Sequence, residues 1–140
     1  MQRIMLPVLV LVVAGACLAA DPVVYFDHAK VDAGFAKGGT MFSGEKYKVI
    51  TGRRDAPGEV EIHTKDTDVM YVVEGTATLI TGGTVTNSRQ TGAEELRGTA
   101  ITGGQTLHLS KGDVVVIPAG TPHWMPETSK PFLYFVVKSR

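Results

Sequence analysis

The chain has 140 residues, 44% of them hydrophobic and 20% charged, and its 14 basic residues balance its 14 acidic ones. This composition is typical of one globular domain with a packed core, and it argues against nucleic acids and anionic membrane surfaces as partners. Cys17 is the single cysteine, so a disulfide framework within the chain is excluded. The expected partner is a small molecule.

The first 20 residues have the layout of a secretory signal peptide. Arg3 supplies a short basic region, IMLPVLVLVVAG is apolar, and ACLAADP offers small residues for cleavage. Cleavage after Ala19 or Ala20 leaves one domain, residues 21–140, with 13 basic residues (14 less Arg3) against 14 acidic ones, a net charge of −1. The mature protein is then expected to be secreted or periplasmic, without a cysteine for a thiolate metal site or a nucleophile.

Two alternatives to simple cleavage concern the same segment. In a lipoprotein signal, Cys17 becomes the lipidated N-terminus, but Ala14 stands where a large aliphatic residue is expected. An uncleaved membrane anchor is disfavoured because the apolar run is short and weakly flanked.

The mature chain is predicted to begin with a short helix. Asp27 can cap a helix that runs from about His28 to Lys37, and Gly38-Gly39 ends it. Beyond the helix, glycines separate short β-rich runs: KYKVITG, GEVEIH, DVMYVVEG, TATLITGG, QTLHLS, GDVVVIPAG and PFLYFVVK. Many short strands with such turns predict an all-β sandwich or barrel.

A local repeat marks a separate feature. The residues ITGG occur at 80–83 and again at 101–104, and they enclose a polar segment, residues 84–100. The simplest interpretation is an inserted loop between two strand ends. The alternative is a lid or a subunit contact, because long loops often carry function.

The stretch EIHTKDTD places candidate ligands where one predicted strand ends and the next begins. Side chains two residues apart in a strand share a face, so Glu61 and His63 point the same way. A tight turn at residues 65–67 that joins antiparallel neighbours would bring Asp68 beside His63. Buried carboxylates are costly without a partner, so these groups either face water or bind a cation.

The stretch GDVVVIPAGTPHWM provides another candidate ligand. Pro118-Ala119-Gly120 is predicted to break a strand with a turn, and His123 starts the following strand. A histidine that projects into a barrel from this turn can meet the first group from the opposite sheet.

This second stretch resembles a signature motif of the cupin superfamily. The motif consists of a glycine, five residues, Pro-x-Gly, two residues and a histidine, and it matches at Gly112, Pro118, Gly120 and His123. Its last position is often asparagine and is Glu127 here.

The first stretch resembles the other cupin motif, His-x-His followed by a glutamate and a glycine. The spacing is intact, but Glu61 replaces the first histidine and Asp68 replaces the glutamate, while His63 and Gly75 match. The amino-acid sequences of both motifs are similar to those of small secreted bacterial cupins.

The resemblance implies a double-stranded β-helix, a jelly roll of two sheets, with a divalent metal ion bound inside. It also implies that Glu61, His63, Asp68 and His123 surround one point. Two imidazoles and two carboxylates would neutralise a divalent ion, and their oxygen donors favour manganese or iron, with zinc as an alternative. Glu61 is either the fourth ligand or a catalytic general base beside a three-ligand metal.

The alternation of side chains along a strand predicts which residues surround that point. Met70 and Met125 share the inward parity of Asp68 and His123, so they are expected to form the apolar wall of the pocket. The other polar candidates are predicted to face solvent: the charged turn at residues 53–55, His108, and Glu127.

Three classes of function follow from this pattern. The first is a metal-dependent cupin enzyme acting on a small, oxygen-rich organic molecule, as a dioxygenase, isomerase, decarboxylase or lyase. The second is a non-catalytic cupin module that binds a small ligand without a metal. The third is a scaffold that forms a homodimer, in which a strand such as PFLYFVVK pairs across a two-fold axis.

Overall fold

The computed structural model of the protein describes residues 22–140, so the predicted signal peptide with Cys17 lies outside the described residues. Within that range the only helix, α1, spans His28–Lys37, and it is followed by strands. The strands are β1 (Gly39–Ser43), β2 (Tyr47–Arg54), β3 (Val60–His63), β4 (Thr67–Glu74), β5 (Thr76–Thr81), β6 (Thr84–Thr86), β7 (Arg89–Gly92), β8 (Glu95–Gly98), β9 (Ala100–Thr102), β10 (Gln105–Ser110), β11 (Val114–Ile117), β12 (His123–Thr128) and β13 (Phe132–Ser139). No helix in residues 22–140 combines the length and the apolar character needed to cross a membrane.

Two antiparallel sheets make up the body of the domain. The first has the strand order β1-β2-β13-β4-β11, the second has the order β10-β5-β12-β3-β8-β7, and β6 pairs separately with β9. The core cluster takes side chains from both sheets, with Val72, Leu79 and Phe132 completely buried. This arrangement confirms the predicted all-β jelly roll, whose alternating strands each turn one apolar face inward.

The N-terminal helix has the predicted bounds. The Asp27 carboxylate accepts a hydrogen bond of 2.9 Å from the Lys30 amide, and Gly38, at φ 71°, closes the helix. Phe35 packs edge-to-face on Phe135 of β13 with ring centroids 4.8 Å apart. The helix therefore covers part of the outer face of the first sheet.

Residues 84–100 are not the inserted loop that the ITGG repeat suggested. They form β6, β7 and β8, and β8 pairs along its whole length with β3. The polar residues of β7 are exposed, and β7 and β8 extend the second sheet next to the strand that carries Glu61 and His63, whereas β6 pairs with β9. The polarity of the segment suggested a loop, but a polar segment can also form a strand at the edge of a sheet, where its backbone pairs on one side and its side chains face solvent.

The strand PFLYFVVK is also placed differently from the prediction. It forms β13, which lies between β2 and β4 and pairs with both. Its backbone groups are engaged on both sides, so it has no free edge to pair with a second copy. The free edges of this sheet are β1 and β11.

Gly52 makes room for the side chain of Tyr134. The two residues are cross-strand partners on β2 and β13, and a Cβ at position 52 would overlap the tyrosine ring. We expect Gly52→Ala to lower the free energy of unfolding by about 1–3 kcal/mol through overpacking. Urea unfolding measures the loss, and Gly92→Ala, whose Cβ makes only ordinary contact with Glu95, is the matched control. Equal stability of the two variants would contradict the packing argument.

Candidate metal centre

The first and second motifs meet within the second sheet, and not from opposite sheets as the sequence predicted, because β12 is the neighbour of β3. β12 pairs with β3 so that His123 lies opposite Glu61. The turn before β12 is held against β3, because the Gly120 amide donates a hydrogen bond of 2.7 Å to the His63 carbonyl. Gly120 has φ 78°, a conformation that glycine adopts without strain. Glu61, Asp68 and His123 line a space between the two sheets, called the cup below. The local turn of the second motif therefore decides where His123 enters the cup.

Three predicted ligands face one another across this strand pair. One donor atom each from Glu61, His63 and His123 lies within 4.8 Å of the others. Glu61 Oε2 is 3.6 Å from His63 Nε2 and 3.9 Å from His123 Nε2. These distances leave a gap of the size that a single ion bridges at ordinary ligand distances of about 2.0–2.2 Å.

Hydrogen bonds orient both imidazole rings. His123 Nδ1 donates to the Thr121 carbonyl at 3.0 Å, and His63 Nδ1 donates to Glu95 Oε1 at 2.7 Å. In both contacts Nδ1 faces an oxygen acceptor, so each ring presents Nε2 to the cup. His63 Nε2 is buried without a hydrogen-bond partner. An oriented imidazole with an unpartnered inner nitrogen fits a metal ligand.

The two histidines differ in their affinity for a proton. Burial opposes charge on His63, but polar contacts with Asp68 and Glu61 outweigh it and raise the pKa to about 9. Burial lowers the pKa of His123, against the opposing influence of the Thr121 carbonyl. In the metal-free protein at pH 7, His63 is therefore protonated and His123 is neutral.

Glu61 presents only one of its oxygens to the histidines. Its Oε1 accepts a hydrogen bond of 2.9 Å from Arg54 and forms an ion pair of 2.7 Å with Arg97. Burial would raise the pKa of Glu61, but the contact with His63 and the two guanidinium groups hold it well below its usual range. Such a carboxylate is a weak base, which favours the predicted role of ligand over that of general base.

Asp68 reaches the site from the other sheet. The turn after β3 does not join hydrogen-bonded neighbours as predicted, because β3 and β4 belong to different sheets. Asp68 nevertheless lies 3.4 Å from His63 Nε2. Both of its oxygens accept hydrogen bonds from Lys138 Nζ, at 2.7 and 2.8 Å. Burial works against the charge of Asp68, but His63 and Lys138 lower its pKa overall.

Several charged residues around the site were missed or misplaced by sequence reasoning. Arg54, predicted to lie in a solvated turn, ends β2 and donates to the Tyr134 hydroxyl at 3.0 Å, with its side chain 18% exposed. Glu95 and Arg97 come from the segment interpreted as a loop. The sequence could have predicted the position of Lys138, because Lys138 follows Tyr134 and Val136 at intervals of two residues and therefore shares their inward face.

A cavity of about 170 Å³ adjoins these ligands. Met70 and Met125, each 3% exposed, line it together with Tyr134. Glu127 lies apart on the exposed side of β12, where it accepts a hydrogen bond from Thr78. His108 is exposed on β10.

Comparison with known proteins agrees with this architecture. A solved structure from Bacillus halodurans is 16% identical with a TM-score of 0.59, covering 84% of this chain and 82% of that one. A hydroquinone 1,2-dioxygenase in complex with Cd²⁺ and 4-hydroxybenzonitrile is 16% identical with a TM-score of 0.56, over 72% of this chain and 62% of the other. A DMSP lyase from Ruegeria pomeroyi is 15% identical with a TM-score of 0.52, over 74% and 46%.

These identities establish a shared fold and nothing finer. No curated protein matches the chain. The family profile described as Cupin matches residues 48–140, which is more than half of the sequence and includes both motifs. With two facing sheets, both motifs in one cup and this match, the chain belongs to the cupin family.

Proposed function

We propose that the protein is a metal-dependent cupin enzyme that acts on a small, oxygen-bearing organic molecule. The observation that carries the proposal is the convergence of Glu61 Oε2 with the Nε2 atoms of His63 and His123 beside a cavity. Two imidazoles and one carboxylate with open positions are the donor set of non-haem iron(II) oxygenases. Iron is therefore the preferred ion, with manganese and zinc as alternatives.

The chain's own residues define what the site can hold. A divalent ion bound there would act as a Lewis acid on a substrate oxygen and, as iron, would give access to dioxygen chemistry. The cavity of about 170 Å³ limits the substrate to a small molecule, and Met70 and Met125 contribute apolar side chains to its wall. The Tyr134 hydroxyl accepts a hydrogen bond from Arg54, so its own proton is available to a substrate oxygen. Burial raises the pKa of Tyr134, which keeps that proton in place at neutral pH.

The relatives in fold do not decide the reaction. The dioxygenase and the lyase share this fold at about the same low identity, and one fold hosts many chemistries. The donor set is the feature that favours an oxygenase over an isomerase, decarboxylase or lyase.

Metal content and turnover test the proposal directly. Metal-free protein is incubated with Fe²⁺ under argon, and separately with Mn²⁺ and Zn²⁺, and the bound metal is measured by elemental analysis after desalting. We expect one ion per chain, and we expect the iron form to consume dioxygen with a member of a panel of small phenols, hydroxy acids and sugars. A protein that retains no ion, and whose melting temperature is unchanged by all three, would overturn the proposal.

Metal affinity should also depend on the residue behind His63. Glu95→Gln keeps a hydrogen-bond acceptor for Nδ1 but removes the charge that makes the imidazole a better donor. We expect metal binding to weaken by about 10–100-fold. Glu94→Gln is the matched control, because Glu94 pairs with Lys65 and Arg140 rather than with the site. Zn²⁺ titration against a chelating indicator measures the metal affinity of both variants. Equal affinities of Glu95→Gln and Glu94→Gln would contradict a role for Glu95.

A second candidate is a cupin module that binds a small ligand without metal. It is favoured by one observation, the ion pairs Arg54–Glu61 and Lys138–Asp68, which balance both carboxylates within the cup. A thermal shift with small acids in the presence of a chelator, without turnover in any metal form, would support this module over the enzyme.

We further propose that the protein is secreted or periplasmic, and that it forms a homodimer. The layout of residues 1–20 supports export. Mass spectrometry of the mature protein is expected to find Ala20 or Asp21 at the N-terminus, whereas a lipid-bearing Cys17 would indicate an anchored protein. Sedimentation velocity tests the dimer.

A further inference from the structure

We infer that Lys138 acts as an internal cation that withholds Asp68 from the metal, so that the protein supplies three ligands and not four. This inference rests on the proposed function, because it concerns the same metal centre. It departs from the four-ligand set that the resemblance to the cupin motifs implied, and it makes Lys138 a determinant of metal affinity and coordination.

The pair is built into the register of the first sheet. Lys138 on β13 and Asp68 on β4 are direct cross-strand partners, and both face the cup. The ammonium group lies 2.7 and 2.8 Å from the two carboxylate oxygens. Both side chains are largely buried, at 14% and 6% exposed. Lysine is rarely buried unless it is paired, so this ion pair is the means by which the site tolerates each charge.

Glu61 shows what an available carboxylate looks like in the same cup. Its Oε1 is engaged by two arginines, and its Oε2 is free to face His63 and His123. Both oxygens of Asp68, by contrast, accept a hydrogen bond from the same Lys138 ammonium group. An ion bound to Asp68 would either share the carboxylate with the Lys138 ammonium group or displace it and leave an unpaired, largely buried ammonium group beside a divalent cation. The ion and the Lys138 ammonium group are both positive, and two like charges that are close together repel each other strongly in a poorly solvated site.

The consequence concerns what the metal can bind besides the protein. With Glu61 as its one anionic ligand, a divalent ion keeps a net positive charge and an additional open position. That combination favours a substrate that binds through an anionic oxygen, such as a carboxylate or a phenolate.

A double-variant cycle tests the inference with Co²⁺ as the probe. The visible absorption of Co²⁺ reports its coordination, so affinity and ligand number are read from one titration without any assay of activity. Lys138→Met frees Asp68, and we expect Co²⁺ to bind at least about tenfold more tightly with a changed spectrum. Lys138→Met combined with Asp68→Asn removes both charges, and we expect affinity and spectrum to return to wild type within about threefold.

The opposite results are equally specific. If Asp68 is already a ligand, the double variant binds at least about tenfold more weakly than wild type, and the inference is overturned. It is also overturned if Lys138→Met leaves the affinity unchanged. Should Lys138→Met not fold, as judged by circular dichroism, Lys138→Gln retains a neutral donor for Asp68 and carries the same expectations. If the wild type binds no Co²⁺ but Lys138→Met does, the proposed function is overturned and the inference that Lys138 competes with the metal stands. If neither protein binds Co²⁺, the proposed function and the inference are both overturned.

Discussion

His63→Ala is expected to weaken the binding of divalent metal by at least about 100-fold, beyond the 10–100-fold that losing an outer hydrogen-bond partner costs. The variant removes one of the two imidazoles whose Nε2 atoms face Glu61, and it leaves a single neutral nitrogen donor in the cup. Competition between the protein and a chelating indicator for Zn²⁺ measures the loss.

The matched control is His108→Ala. His108 is exposed on β10, away from the cup, so the same substitution there should leave metal affinity unchanged. If both variants bind Zn²⁺ as wild type does, the ion is held elsewhere and the proposed centre is wrong. Circular dichroism shows whether His63→Ala retains the fold, since its ring also makes the hydrogen bond with Glu95.

The free energy of unfolding of the metal-free protein should fall as the pH rises from 6.5 through 9. The pKa of His63 is raised from 6.5 to about 9 by its carboxylate contacts, against the effect of burial. A raised pKa means that the folded protein binds the proton more tightly than the unfolded chain. The stabilisation is therefore complete below pH 6.5 and is lost as the pH passes about 9, a loss of roughly 3 kcal/mol.

Urea unfolding at several pH values between 6 and 10, in the presence of a chelator, measures this dependence. His63→Ala provides the control, because its stability should vary much less over the same range. A wild-type stability that stays constant or rises with pH would show that His63 is not held as an imidazolium by its neighbours. The same proton must leave before Nε2 can bind a metal, so metal affinity should increase with pH over this window.

The contacts in the site and the proposed metal predict two charge arrangements of the cup. Without a metal, the carboxylates of Glu61 and Asp68 are balanced by Arg54, Lys138 and a protonated His63. With a metal bound as proposed, the ion would replace the proton on His63, while the arginine and lysine pairs would stay in place. The acids would then be paired in both states, which would offset the cost of placing a histidine and two acids on the approach to a core.

The short-range features of the sequence predicted the helix and the strands, and the resemblance to the cupin motifs predicted their arrangement as a jelly roll. Asp27 and Gly38 mark the ends of the helix because capping depends on the residues beside the helix terminus. The glycine-separated runs predicted strands, and their alternation predicted that Met70 and Met125 face inward. The turn at Gly120 is local as well, and the motif around it pointed to His123.

The tertiary structure alone decided which charges meet. Lys138 lies opposite Asp68, 70 residues away in the sequence, because β13 pairs with β4. Glu95 reaches His63 because β7 and β8, within residues 84–100, extend the second sheet beside β3. Strand pairing between distant segments follows from how the whole chain packs, and no local pattern encodes it. The sequence by itself determined a cupin barrel and a set of candidate ligands, whereas the packing of the sheets determined that one of those candidates, Asp68, is held by a lysine.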